Sequence, residues 1–303
     1  MTLKEYYKIN DKQIEKLIAS ALREDRIYND VTTSLILNKA EANKKKIAVL
    51  LCKEDCILAG LEIFKRVYKQ IDSKVKFKAD YKDGERIRKN SRVMTVESTL
   101  INLLHGERTA LNFLQRMTGV ATLTNKFVKQ LKFKGSAVLH TRKTTPNFRI
   151  FEIAAVKTGG GDFHRIDLSS AVMIKDNHIE ANSDINTVMN RLNKIKMISP
   201  FDKIRMRGTA IGNRFEIEVK NLSEVQTVAE YGKGIIKIVM LDNFNPEQID
   251  TAVKILKPAG FKIEISGGVN ERNFAKIQRK GIDYYSIGAL THSYKSADFS
   301  LEF

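Results

Sequence analysis

The run His140-Thr141-Arg142-Lys143-Thr144-Thr145-Pro146 is followed, within forty residues, by Gly159-Gly160-Gly161, His164-Arg165 and Lys175-Asp176-Asn177-His178. Three of the five histidines fall in this window, together with the cations Arg142, Lys143, Arg165 and Lys175. Guanidinium forks and ammonium groups match carboxylate and phosphate oxygens through charge-assisted hydrogen bonds, so the cluster suits an anion. Any one of these residues alone would be a solvated charge or a structural ion pair. Set beside turn residues and strand ends, they form one site. His105, His140 and His292 are assigned structural roles; His178 either orients its turn or meets a substrate.

The elements that must position these residues follow from the apolar pattern. Ala137-Val138-Leu139 leads directly into Thr141-Arg142-Lys143, and Ala171-Val172-Met173-Ile174 leads into Lys175-Asp176-Asn177-His178. Both read as buried strands with polar residues at the carboxyl end, where parallel α/β proteins bind ligands. Further short strands alternate with helical stretches at Phe215-Val219, Ile236-Leu241, Lys262-Ile265 and Tyr284-Ile287. That alternation predicts a parallel sheet, and the convergence of polar ends predicts a barrel. Glu216 and Glu218 share one strand face at period two, with Glu216 expected to point elsewhere or into a supporting pair. Glu218 and Asp242 could bind ribose hydroxyls, hold a divalent ion or stabilise positive charge at a sugar carbon. The late turns Ser266-Gly267-Gly268 and Ile287-Gly288-Ala289 suit phosphate held by backbone N–H groups. Gly159-Gly160-Gly161 lacks the spacing of a phosphate-binding loop or a dinucleotide fingerprint.

The first hundred residues are patterned differently. Ile47-Leu51, Ile57-Ala59, Val75-Ala79 and Val93-Val96 read as strands and Leu61-Tyr68 as a helix, an antiparallel α+β module. A long helix begins at Leu100.

Length and composition exclude several classes. The chain has 303 residues, 43% hydrophobic and 29% charged, which is ordinary for a globular enzyme with a substantial core. No stretch approaches the roughly 20 apolar residues of a membrane span, the amino terminus carries no signal-peptide core, and a cytoplasmic location is expected. Cys52 and Cys56, the only cysteines, read as buried free thiols rather than zinc ligands. The net charge of +17 would admit a nucleic-acid partner, but the lysines are spread along the whole chain and no basic-aromatic interleaving occurs.

Taken in order, Asn29-Asp30-Val31-Thr32-Thr33, Glu107-Arg108-Thr109-Ala110-Leu111-Asn112, Thr141-Arg142-Lys143-Thr144-Thr145-Pro146, His164-Arg165, Lys175-Asp176-Asn177-His178, Leu241-Asp242-Asn243 and Ser266-Gly267-Gly268-Val269 closely resemble quinolinate phosphoribosyltransferase, also called nicotinate-nucleotide pyrophosphorylase (carboxylating). The resemblance covers nearly the whole chain. It implies an α/β protein with an amino-terminal α/β (α+β) sandwich over 1–115, joined by 290–303, and an incomplete TIM-like α/β barrel over 116–289. It implies a homodimer, conversion of quinolinate and phosphoribosyl pyrophosphate to nicotinate mononucleotide, pyrophosphate and carbon dioxide in NAD biosynthesis, and a requirement for Mg²⁺. Carried onto this sequence, Thr141, Arg142, Lys143, His164, Arg165 and Lys175 bind quinolinate, with Arg108 supplied by the adjacent subunit. Glu218 and Asp242 stand near the ribose and the metal, directly or through water; Ser266, Gly267, Gly268, Ile287, Gly288 and Ala289 lie near the phosphates; Lys143 and Lys175 join Glu218 and Asp242 as catalytic candidates.

This sequence departs from the family pattern at His140, where bacterial members often have Asp, and at Asn147, where Gly is common. The stretch from Ile198 to Arg214 is longer than usual. Two rival readings are a molybdenum-transport-associated pyrophosphorylase-like protein of the same fold and a basic nucleic-acid-binding protein with a degenerate site.

Overall fold

In the computed structural model, residues 11–198 and 215–303 are described; the long stretch after Ile198 lies outside them. The chain divides into two compact units, one of Met1–Asn125, Thr145–Gly160 and Tyr294–Phe303, the other of Lys126–Thr144 and Gly161–Ser293. Among the described residues no helix is long and apolar enough to cross a membrane.

The first unit is built on a four-stranded antiparallel sheet, in the order β12 (Phe299–Glu302), β1 (Lys45–Cys52), β5 (Arg92–Thr99), β3 (Lys76–Ala79). Ala48, Leu50 and Cys52 alternate along one face of β1 and are buried, the period-two pattern of a half-covered sheet. Helix Leu61–Ile71 buries Leu61, Phe64, Val67 and Tyr68, an i, i+3, i+6, i+7 stripe. An antiparallel pair of β2 (Cys56–Ile57) and β4 (Arg86–Ile87) completes the strands. It brings Cys56 Sγ to 3.5 Å from Cys52 Sγ, both thiols free and buried. The Asn29-to-Thr33 motif is a helix start: Asp30 caps helix Val31–Ile36 and accepts the Thr33 N–H at 3.0 Å.

Helix Leu100–Lys129 is held to Leu61–Ile71 by the hydroxyl of fully buried Tyr68, which donates to the Leu103 carbonyl at 3.0 Å. The approach is close enough to require a glycine in mid-helix. A Cβ on Gly106 would stand 2.5 Å from the Tyr68 ring. Gly159 likewise packs against the Ala121 carbonyl, where a Cβ would meet oxygen at 2.4 Å, so the Gly159-Gly160-Gly161 run serves helix packing and a turn.

The second unit is a six-stranded parallel sheet, in the order β6 (Ala137–Leu139), β11 (Tyr284–Ser286), β10 (Lys262–Ser266), β9 (Ile236–Asp242), β8 (Phe215–Val219), β7 (Met173–Ile174). The first strand pairs with the last, and the others follow in sequence. That order is cyclic with one seam, between β6 and β7, and it is the connectivity of an incomplete barrel. At the seam Asp162 bridges Leu139 in parallel, so the residues just after it run beside β6.

For Gly106→Ala, helix propensity would gain about 1 kcal/mol, but overpacking against an immobile ring costs about 1–3 kcal/mol. We expect a lower urea midpoint at unchanged m-value; a raised midpoint would contradict the packing argument.

Candidate active site

Register fixes which side chains share a face. Glu216 pairs with Ile238, Glu218 with Met240, Glu264 with Met240 and Tyr284, and Ser266 with Asp242. Paired residues and those two positions along point the same way. One face of the sheet therefore carries Glu216, Glu218, Asp242, Glu264, Ser266 and Ser286, while Ile217, Val219, Val239, Leu241, Ile263 and Ile265 occupy the other. Glu216 thus shares the Glu218 face.

The deepest polar cluster lies on that face. His164 Nε2 is 3.2 Å from Glu216 Oε2 and 3.5 Å from Glu264 Oε1, and all three residues are buried. The three could offer a metal one ligand atom each, yet both carboxylates already face the imidazole. The His164 backbone N–H donates to His140 Nε2 at 3.0 Å, which places the His140 proton on Nδ1. Burial alone would lower the His164 pKa; Glu264 and Glu216 outweigh it and raise it to about 10. Burial, then Glu264, raises Glu216 to about 7 against the pull of His164 and Arg165. His164 is thus a buried counterion to two carboxylates, and Arg165 is the next cation outward.

Arg165 is buried, and its pKa is lowered by burial and by the neighbouring positive charge of Arg142, against Glu216, Glu218 and Glu264. Among the described residues, the Arg142 Nε–H is buried with no hydrogen-bond partner. The repulsion between Arg165 and Arg142, together with the buried Arg142 donor, suits a negative group. Lys175, half-exposed, ion-pairs with buried Glu218. His178 Nδ1 accepts the Lys175 N–H at 2.9 Å, so His178 shapes that turn. Thr141 Oγ1 accepts the Lys143 N–H at 3.1 Å, the Lys143 carbonyl accepts from Thr291 Oγ1 at 2.7 Å, and the exposed Lys143 side chain passes close to Gly288.

Asp242, at the end of β9, accepts from Asn243 Nδ2 at 2.9 Å. Asn243 itself has φ 57° and donates its N–H to the Ser266 carbonyl. Gly267 and Gly268 follow with φ 84° and 60°. A Cβ on Gly267 would strike Asn243 Oδ1 at 2.4 Å, so only glycine lets this turn close beside Asp242. At the next strand end the Ile287 N–H bonds the Leu139 carbonyl at 3.1 Å and Ile287 is fully buried. Gly288 and Ala289 open a short helical turn there. Ser286 Oγ, on the carboxylate face, is buried without a hydrogen-bond partner among the described residues.

Arg108 belongs to the first unit. It is largely exposed, 4.0 Å from Glu107, and lines a cavity of about 780 Å³ with Arg116, Thr145, Asn147 and Phe148. Arg116 ion-pairs with fully buried Glu152, which accepts the Thr145 N–H at 3.0 Å, and lies 4.8 Å over the Phe148 ring. This network fixes the Thr145-Pro146 turn.

The description "Quinolinate phosphoribosyl transferase, N-terminal domain" matches residues 30–118, and the C-terminal domain of the same enzyme matches residues 120–302. The chain belongs to the quinolinate phosphoribosyltransferase family. It is 37% identical over 295 residues to a probable nicotinate-nucleotide pyrophosphorylase [carboxylating] of Methanocaldococcus jannaschii, covering 95% of this chain and 96% of that one. The corresponding Bacillus subtilis protein is 32% identical, with 97% and 94% covered. The crystal structure of NadC from Streptococcus pyogenes superposes with a TM-score of 0.85 at 36% identity over 97% of each chain.

Within this family the two departures have physical explanations. Asn147 has φ 62°, the left-handed region that Gly enters freely and Asn tolerates better than other side chains. His140 provides a buried acceptor to the His164 N–H, a task a carboxylate oxygen could also perform. Sequence reading did not single out Glu264 or Glu152. Glu264 gave no local signal, because Lys262-Ile263-Glu264-Ile265-Ser266 alternates as an amphipathic strand does.

The buried cluster makes stability pH-dependent. The His164 contribution is fully present below its ordinary value of 6.5 and is lost as pH rises through about 10. The Glu216 cost appears as pH rises from 4.5 through about 7. In both cases the folded state holds protons that the unfolded state releases, so stability falls with rising pH. We expect Tm to decline from pH 5 to pH 10, and Glu216→Gln to flatten the decline around pH 7. An unchanged profile in that variant would refute the assignment.

Proposed function

We propose that the chain transfers the phosphoribosyl group of phosphoribosyl pyrophosphate to the ring nitrogen of quinolinate, with Arg142 and Arg165 holding the substrate carboxylates. The products are nicotinate mononucleotide, pyrophosphate and carbon dioxide, in the de novo synthesis of NAD. The observation that carries this reading is the pair of crowded guanidiniums with a buried, unused Arg142 donor. A dianion relieves their repulsion and satisfies that donor. The rival of the same fold lacks comparable support: both domains match quinolinate phosphoribosyltransferase by description, and the relatives named above carry the pyrophosphorylase name.

As pyrophosphate departs, positive charge builds at the sugar carbon. Glu218 and Asp242, on one face at adjoining strand ends, would stabilise it. Lys175 pairs with Glu218 and holds its carboxylate in place. The turns at Ser266-Gly267-Gly268 and Ile287-Gly288-Ala289 supply backbone donors to phosphate, and Lys143 adds a mobile ammonium. Once the ring nitrogen carries ribose, the bond from the adjacent ring carbon to its carboxylate breaks and carbon dioxide leaves; the electron pair stays on that carbon, stabilised by the cationic ring, until it takes up a proton from water. The protein's part in that step is orientation.

The donor set of Glu218 and Asp242 consists of hard oxygens, which fits Mg²⁺, directly or through water. When bound, the ion would neutralise charge on the leaving group. Exposed Arg108, beside a large cavity of its own unit, supports a homodimer in which each copy lends this arginine to the other's site. A cytoplasmic location is part of the same reading, supported by two thiols left free at 3.5 Å.

Arg142→Ala and Arg165→Ala each remove a charged contact of about 1.5–3 kcal/mol. We expect the quinolinate KM to rise about tenfold or more in each, with circular dichroism unchanged. Unaltered quinolinate kinetics in both would sink the assignment.

A further inference from the structure

The opposite, amino-terminal end of the parallel sheet carries a second basic site, which the chemistry above does not use. A cavity of about 340 Å³ opens there, beside the starts of β6, β10 and β11, and is walled by Lys134, Lys257, Lys262 and Lys280 around Asp283. Its size lies at the small end of ligand cavities, which run from roughly 300 to 1,000 Å³. Four ammonium groups surround one carboxylate.

That carboxylate is structural. Asp283 is buried and accepts from Lys257 Nζ and Lys262 Nζ, each at 2.6 Å, and from the Ile263 N–H at 2.9 Å. Burial would raise its pKa, but the two lysines and the amide hold it below the usual carboxylate range. This carboxylate thus pins two ammonium groups side by side, so they lose little side-chain freedom when an anion arrives. Lys134 and Lys280 complete the ring, and neither has an acidic partner among the described residues.

The loops add donors. Gly135 and Gly281 have φ 94° and 99°, and the backbone N–H groups of Lys134, Gly135, Lys280 and Gly281 make no hydrogen bond within the described residues. Free amides in glycine turns beside fixed ammonium groups are the means by which proteins hold phosphate oxygens. The walls are concave and carry one aromatic residue, half-buried Phe133, which disfavours a stacked single strand of nucleic acid.

We propose that this cavity binds a small polyphosphate anion, either inorganic pyrophosphate or the phosphate chain of a nucleoside polyphosphate, at the end of the strands opposite the one that carries Lys175, Asp242 and the Gly267 turn.

The test is equilibrium dialysis of the full-length protein with radiolabelled pyrophosphate, and in a second arm with ATP, comparing wild type with Lys134→Ala/Lys280→Ala. Both lysines are exposed, so the fold and the quinolinate kinetics should be unchanged. The double variant is expected to bind one pyrophosphate fewer per chain, or to bind it with a Kd raised about tenfold, the effect of losing about 1.4 kcal/mol. Loss of ATP in parallel identifies the nucleoside polyphosphate as an occupant; loss of pyrophosphate alone identifies the inorganic anion. Identical stoichiometry and Kd in both proteins would overturn the proposal. So would binding of a 20-mer oligonucleotide that the variant loses while neither small anion binds. The count does not depend on how the opposite face acts, because the variant leaves that face untouched.

Discussion

Three carboxylates on one face of a parallel sheet, Glu216, Glu218 and Glu264, are buried, and the rest of the second unit is arranged around keeping them there. An uncompensated buried charge is strongly destabilising, so each needs a cation at hand. His164 lies between Glu216 and Glu264, and Lys175 meets Glu218. Arg165 is then the next charge out, buried and facing Arg142. Cations thus outnumber what the carboxylates fully satisfy toward the strand ends, and an anion completes the balance. The same electrostatics that stabilise the barrel interior therefore leave positive charge at the strand ends, the basis of the dicarboxylate site proposed above.

The geometry follows from the sheet's pairing. Because β6 pairs with β11 while β7 pairs only with β8, the seam admits the segment after Asp162 beside β6. That segment delivers His164 and Arg165 to the face that β8 and β10 line with carboxylates. The His140 acceptor and the Gly267 turn fix the two flanks: one holds the His164 backbone, the other closes against Asn243 next to Asp242. Small residues and one buried imidazole thus position charges donated by four strands.

Much of this was legible in the sequence. The strand ends at Leu139, Ile174, Val219 and Leu241 were marked by apolar runs breaking into charged residues, and the parallel α/β alternation followed from spacing alone. The relation of Glu218 to Asp242 was also visible, as carboxylates at the ends of neighbouring strands. The division of labour inside the cluster was not. His164 looks like any cation beside Arg165 until strand register turns its ring toward Glu216 and Glu264. Glu264, in Lys262-Ile263-Glu264-Ile265-Ser266, has the pattern of an ordinary amphipathic strand with its polar side in water. Only closure of the sheet puts that side in the interior. Strand Phe299–Glu302 was missed for a similar reason: its partner β1 lies some 250 residues earlier, and nothing local announces the pairing.

On the function proposed above, Arg142 and Arg165 select two carboxylates on one ring. Initial rates with phosphoribosyl pyrophosphate and either quinolinate or nicotinate, following pyrophosphate and carbon dioxide together, test it most directly. Quinolinate should release the two products in equal amounts, and nicotinate, with one carboxylate, should give little or no pyrophosphate. Equal pyrophosphate release from nicotinate, or release from quinolinate without carbon dioxide, would contradict the account.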